Sequence, residues 1–178
     1  SSRFGQPKLL QPLDEAGTIG QTAARNLLGA IPDAIAVIRP GDERLHEIFA
    51  SLGMHTIVNP VADKGIGTSI ATGIDAAADA DGWLITLGDM PWIQSTTIRL
   101  LAAEMHAGAS MVAPVYCEQR GHPVGFASKW KHALLDLHDD HGARNLLREH
   151  ASELQLVPTM DPGVIRDIDY REDMKGFT

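Results

Sequence analysis

The chain has 178 residues, 44% of them hydrophobic, and its 15 Lys and Arg against 23 Asp and Glu give a formal net charge of −8. That length suits one domain with a substantial core, and the acidic balance argues against general nucleic-acid binding and against a basic membrane-surface patch. A single cysteine, Cys117, excludes an intrachain disulfide and a cysteine zinc site and fits a reducing, cytoplasmic compartment, while no apolar run approaches the length of a membrane span and no signal peptide is visible.

In chain order, Ser1 to Leu13 reads as a loop of small, charged and turn-forming residues. Ile19, Ala23, Leu27 and Ile31 predict a helix over Thr18–Ile31. Ile35–Ile38 is a short strand closed by Pro40-Gly41. Asp42 then reads as the N-cap of a helix whose stripe is Leu45, Ile48, Phe49 and Leu52, with Gly53 at C′. His55–Val58 is a strand ended by Asn59-Pro60, and the turn Lys64 to Ser69 opens a helix through Ile70, Ile74 and Ala77. Trp83–Leu87 is a strongly apolar run, read as a central strand buried on both faces. Ser95 or Thr96 caps a helix ending at Gly108. Met111–Val115 and Val124–Ala127 are strands flanking a turn at Arg120-Gly121-His122-Pro123. Helices are expected over Lys129–Leu137 and Ala143–His150, an extended piece over Leu154–Val157, a last strand over Val164–Ile168, and one or two helical turns within Arg171–Phe177. Alternating strands and helices predict an α/β fold: a mostly parallel sheet with helices on both faces and an antiparallel addition near residues 116–127.

The chemistry concentrates where apolar runs end in acids. Gly88 and Asp89 follow Trp83–Leu87, and Asp169 follows Val164–Ile168. If both runs are central parallel strands, both carboxylates face the crevice at the carboxyl end of the sheet. Two carboxylates with phosphate oxygens and water is a common way to hold Mg²⁺. The plainer roles are that Asp89 caps the helix near Ser95 or starts a turn, and that Asp169 caps Arg171-Glu172-Asp173. The first loop offers Arg3 and Lys8 to an anion in an otherwise acidic protein, or is a solvated terminus; it lacks the G-x-x-x-x-G-K-[ST] pattern. Gly65-Ile66-Gly67-Thr68-Ser69 lets a backbone pass close to a ring or ribose, or is an ordinary strand-to-helix turn. His122 is a ligand contact or a surface histidine.

Taken together, Ser1 to Leu10, Gly65 to Ile70, Leu87-Gly88-Asp89-Met90-Pro91, Arg120 to Val124 and Gly163 to Asp169 resemble the molybdenum cofactor nucleotidyltransferases, the MobA-like NTP transferases. The Arg-Gly-His-Pro-Val turn resembles their cytidylyltransferase branch in particular. The resemblance spans essentially the whole chain. It implies a Rossmann-like nucleotidyltransferase fold, one domain over residues 1–178, and transfer of CMP from CTP to molybdopterin cofactor with release of pyrophosphate. By motif position it implies catalytic roles for Arg3, Lys8 and Asp89. Nucleotide contacts would come from Ser2, Arg3, Lys8, Gly65, Gly67, Thr68, Ser69 and Gly88. Arg120, Gly121 and His122 would contact the acceptor, Asp89 and Asp169 would hold Mg²⁺, and Arg144 would orient the site. A molybdoenzyme would receive the product. The family pattern begins with a strand and a Leu-Ala-Ala-Gly segment before the position of Ser1, which this sequence lacks, so the sequence is expected to start inside the domain. The last motif also departs, with Tyr170-Arg171 where Thr-Pro is usual.

The same chemistry on another base or acceptor is the nearest alternative: a guanylyltransferase or a sugar-phosphate nucleotidyltransferase. A non-catalytic nucleotide-binding accessory protein is a second. A dinucleotide oxidoreductase is disfavoured, because no complete G-x-G-x-x-G follows a strand.

Overall fold

The computed structural model describes residues 7–15, 17–138 and 140–174. A 3₁₀ turn over Lys8–Leu10 leads into two very short antiparallel strands, β1 (Pro12–Asp14) and β2 (Gly17–Thr18). Thr18 then starts α1 (Ile19–Leu28) with a capping box: Gln21 N–H donates to Thr18 Oγ1, and Gln21 Oε1 accepts from Thr18 N–H. The helix stops at Leu28, short of the expected Ile31, where two amides share the Leu27 carbonyl. β3 (Ile35–Ile38) and β4 (His55–Val58) pair in parallel, joined by α2 (Glu43–Ser51). Gly53, at φ 78°, takes the left-handed turn expected of it after α2. Asp42 does not cap α2. Its carboxylate reaches back to the Arg39 N–H instead and closes the preceding turn.

The remaining elements are α3 (Ile66–Ala76), β5 (Gly82–Ile85), α4 (Ser95–His106), β6 (Met111–Tyr116), β7 (Gln119–Arg120), β8 (Val124–Ala127), α5 (Lys131–Leu135), α6 (Arg144–Glu149) and β9 (Leu154–Pro158). Cys117 and Glu118, at φ 47° and 65°, make the two-residue turn between β6 and β7. β8 lies between β5 and β6, antiparallel to both, so β5 and β6 run the same way; β9 joins the far edge of β6 in parallel. The sheet is thus mixed: β5, β6 and β9 share one direction, and β7 and β8, each paired antiparallel to β6, are the antiparallel addition the sequence predicts. β5 itself differs from expectation. It ends at Ile85, and among the described residues its one strand partner is the antiparallel β8.

Alternation along β6 shows helices on both faces. Met111 and Ala113 enter a core with Ile74 of α3, Leu134 of α5 and Leu147 of α6. Val112, between them, packs with Leu101 and Met105 of α4. Gly125 of β8 is required on that second face, where a Cβ would overlap Met105 Sδ and lie hard against Leu84. The helices of the second half are shorter than read from sequence. A 3₁₀ turn over Ser128–Trp130 takes the start of the first, and α6 keeps only Arg144–Glu149.

The expected strand over Val164–Ile168 does not form. Asp161-Pro162-Gly163 turns the chain into a 3₁₀ segment, Pro162–Ile165, and the residues after it run irregularly to a further 3₁₀ turn at Arg171–Met174. Their apolar side chains are buried all the same: Val164 and Ile168 are fully enclosed. No helix among the described residues is long and apolar enough to cross a membrane.

Candidate active site

Three segments converge at one end of β5. Each carries a charged residue beside an apolar anchor. Asp89 sits in the turn Leu87–Met90, closed by Met90 N–H to Leu87 O, and Met90 is buried beneath it. Lys8 lies in the first 3₁₀ turn, with Leu9 against Gly88, where a Cβ would press on the Leu9 methyls at 3.2 Å. Asp169 follows Ile168, which packs with Ile19, Leu9, Leu13 and Trp92. The Ile168 N–H donates to the Asp89 carbonyl at 3.0 Å, tying the third segment to the second. Burial of the neighbours turns the charged groups outward and together.

Lys8 Nζ donates to Asp89 Oδ2 at 2.7 Å and to Asp169 Oδ1 at 3.3 Å. Burial of the lysine works to lower its pKa, but the hydrogen bonds and charges of Asp89 and then Asp169 outweigh it, so the ammonium titrates above the ordinary 10.5. Asp169 is not the cap of the following turn. Asp173 plays that part, its carboxylate accepting from the Asp169 and Tyr170 N–H groups, which leaves the Asp169 side chain on Lys8. Nor is Asp89 the cap of α4.

The acids expected from two parallel strand ends therefore do meet, although one arrives from a 3₁₀ segment. Among the described residues no three His, Cys, Asp or Glu side chains gather as a metal cage. Two carboxylates sharing one cation, with Lys8 as the stand-in, fit the kind of site in which Mg²⁺ keeps water and takes substrate phosphate oxygens. Ser2 and Arg3 lie outside the described residues.

The 65–69 turn leads from β4 into α3, with its hydroxyls engaged by the protein itself. Thr68 is 8% exposed and its hydroxyl is committed inward: it donates to Gly65 O at 2.8 Å and accepts from Asn59 Nδ2 at 2.8 Å. Ser69 Oγ takes the other Asn59 amide hydrogen at 3.1 Å, and Asn59 Oδ1 accepts from Val61 N–H. Gly65, at φ 122°, supplies the backbone conformation that starts α3. Asn59, fully buried, is thus the post that holds the turn, and the sequence reading saw in it only a strand end. Asn59→Ala is expected to destabilise the protein by about 1–3 kcal/mol, because Thr68 and Val61 lose their buried partner; thermal melting checks it.

Gly121 and His122 are held to the 162–165 segment. The His122 N–H donates to Val164 O at 2.8 Å, and a Cβ on Gly121 would overlap that same carbonyl. The His122 pKa falls below 6.5, first through burial and then through the Arg120 charge, with Arg144 adding to it and Asp89 and Asp167 opposing. The ring is therefore neutral at pH 7, and the stability this gives is present above pH 6.5 and lost as pH falls through the lowered value. Its Nδ1 is buried with no hydrogen-bond partner among the described residues. Arg120, on β7, is exposed.

A mixed α/β sheet flanked by helices on both faces, with two acids and a lysine gathered beyond a strand end, places the chain among the Rossmann-like α/β folds that bind ligands at strand ends. Residues 1–154 match the MobA-like NTP transferase domain, and the chain belongs to that family. It is 31% identical over 121 residues to the bifunctional protein GlmU of Nitrobacter hamburgensis, covering 62% of this chain but only 25% of that one. It is 26% identical over 180 residues to the nicotine blue oxidoreductase of Paenarthrobacter nicotinovorans, covering 97% and 88%. Crystal structures of Rv0371c from Mycobacterium tuberculosis share the fold. One superposes with a TM-score of 0.83 at 22% identity, covering 97% of this chain and 90% of that one. The complex of Rv0371c with manganese gives 0.77 at 21%, covering 96% and 90%.

Proposed function

We propose that residues 1–178 form one nucleotidyltransferase domain that transfers CMP from CTP to molybdopterin cofactor and releases pyrophosphate. The observation that carries the reading is the single cation, Lys8 Nζ, shared by Asp89 and Asp169. Membership of the NTP transferase family supports the reaction class, and the Arg120-Gly121-His122 turn supports cytidylyl transfer to this acceptor. Asp89 and Asp169 would hold Mg²⁺; the manganese complex of Rv0371c supports a divalent ion. Ser2, Arg3, Lys8 and Gly88 would face the triphosphate, with Gly65, Gly67, Thr68 and Ser69 toward base and ribose. Thr68 and Ser69 would serve through the shape of the turn, since the Thr68 hydroxyl is committed inward. The orphaned Nδ1 of His122 suits the acceptor side. A molybdoenzyme would take the finished cofactor.

An oxygen of the acceptor phosphate attacks the α-phosphorus, the bond to the β-phosphate oxygen breaks, and that oxygen leaves with its electron pair in pyrophosphate. The acceptor phosphate is already ionised, so no side chain need remove a proton. The protein's work is to hold the two phosphates in line and to neutralise charge on the leaving group, which falls to Lys8 and Arg3. A bound divalent ion supplies further charge neutralisation to the triphosphate.

A second reading has one observation behind it, the Paenarthrobacter relative named as an oxidoreductase and aligned along almost the whole chain. Pyrophosphate release from CTP, GTP, ATP and UTP, with Mg²⁺ and molybdopterin cofactor, distinguishes the two, run beside oxidation of NADH and NADPH with a quinonoid dye as the electron acceptor. Release with CTP is the expected result. Release with GTP alone overturns the base assignment, and nicotinamide oxidation without release favours the redox reading.

A further inference from the structure

Asp161 is 3% exposed, and no cation pairs with it among the described residues. Its carboxylate is satisfied by donors from two separate stretches of chain. Oδ2 accepts from the Gln94 N–H at 2.8 Å and from the Thr97 hydroxyl at 2.7 Å; Oδ1 accepts from the Gly163 N–H at 2.9 Å. The Asp161 N–H is itself held by Thr159 Oγ1 at 3.2 Å. The residues expected to cap α4 are turned away: Ser95 donates to Asn26 O, and Thr96 to Gln94 Oε1. Asp161 caps α4 from 67 residues downstream, where the amide dipoles of a 12-residue helix favour a negative charge.

The position of that cap matters for the site. Gln94 lies five residues after Asp89, and Asp161 eight before Asp169. Between these ends the two stretches run together as a seam. Gly163 lies so close to Trp92 that a Cβ would overlap the Trp92 carbonyl. Val164 packs with Met90 and Ile93, and the Ile168 N–H closes the far end on the Asp89 carbonyl. The seam thus has a carboxylate clamp at one end and the pair of acids at the other.

We propose that Asp161 is a positioning residue that sets the spacing between the Asp89 and Asp169 carboxylates, and so their grip on a divalent ion. This rests on the metal reading of that pair. An ionised carboxylate is needed because both its oxygens face donors; the amide of Asn turns an NH₂ group against one of them.

The test is Mn²⁺ binding to the free chain, followed by electron paramagnetic resonance and set beside thermal melting. The variants are Asp161→Asn, Thr97→Val, Asp89→Ala, and Ile74→Val as a control in the separate core around α3. Asp161→Asn is expected to weaken Mn²⁺ binding by about tenfold, the scale typical of groups that orient metal ligands, and Thr97→Val by a smaller factor. Ile74→Val should lower the melting temperature and leave Mn²⁺ binding unchanged. Thr97→Val, which deletes one donor, reports if Asp161→Asn does not fold. Wild-type affinity in folded Asp161→Asn and Thr97→Val overturns the inference, as does equal weakening in Ile74→Val. Absence of Mn²⁺ binding by the unaltered chain, matched by Asp89→Ala, overturns the metal reading itself and the inference with it.

Discussion

Asp89→Ala is expected to slow nucleotidyl transfer by about 10²–10³-fold, the usual scale for losing one preorganised electrostatic contribution to a transition state, while leaving the protein folded. The two effects separate because of where Asp89 sits. Its side chain is 25% exposed and Lys8 keeps Asp169 as a partner, so loss of this part-buried ion pair costs about 1–3 kcal/mol. Its other structural contribution comes from the main chain, through the carbonyl that accepts from the Ile168 N–H, and alanine keeps that. Pyrophosphate release measures the first effect and a thermal melt the second. A folded variant that retains full turnover sinks the assignment of Asp89 to the reaction.

Lys8→Met is expected to have opposite effects on metal and on turnover. In the free protein the ammonium occupies the space between the two acids, so a divalent ion must compete with it. Two carboxylates and one ammonium sum to −1, and methionine leaves −2. At an effective dielectric near 20 a unit charge a few ångströms away is worth a few kcal/mol, reduced here by exposure of Asp169. Mn²⁺ affinity of the free chain should therefore rise by about tenfold. Turnover should fall by about 10²-fold, because the triphosphate loses a counter-charge. The competition holds across neutral pH, since the Lys8 pKa is raised: the paired ammonium persists below pH 10.5 and is lost only as pH climbs through the higher folded value. Mn²⁺ titration beside the pyrophosphate assay checks both directions. A weaker Mn²⁺ site in Lys8→Met would mean that Lys8 holds the carboxylates in place instead of competing for them.

Much of this arrangement was legible in the residues. Period and punctuation located β3, β4, β6, β8 and their helices, since stripes such as Leu45, Ile48, Phe49 and Leu52 can only bury one face. Asp89 and Asp169 stood out because each follows an apolar run. What misled the reading was the second of those runs. Val164 to Ile168 is apolar enough for a strand, and apolar content alone cannot tell a buried strand from a buried 3₁₀ segment. Asp161-Pro162-Gly163 carried the turn signal that decides it. Partners far apart in sequence were illegible in principle. Ser95 and Thr96 looked like caps of α4 by every local rule, and the cap is Asp161. Asn59 beside Pro60 looked like punctuation, and its amide is the buried support of Thr68 and Ser69. Ser2 and Arg3, named by motif position, lie outside the described residues.

The span of the Lys8 contacts bears on how the chain acquires its site. Lys8 reaches 81 residues forward to Asp89 and 161 forward to Asp169. The entropy of closing a flexible loop grows only as the logarithm of its length, yet contacts of such separation give nothing back until the chain between them is ordered. The sheet, with its nearer pairings of β5, β6 and β8, must shorten those loops first. The charged cluster is then among the last features to assemble and among the first to come apart. Capture of a divalent ion would mark the joining of Lys8, Asp89 and Asp169, where the burial of Trp83 and Trp130 reports only the core that the sheet makes with α3, α5 and α6.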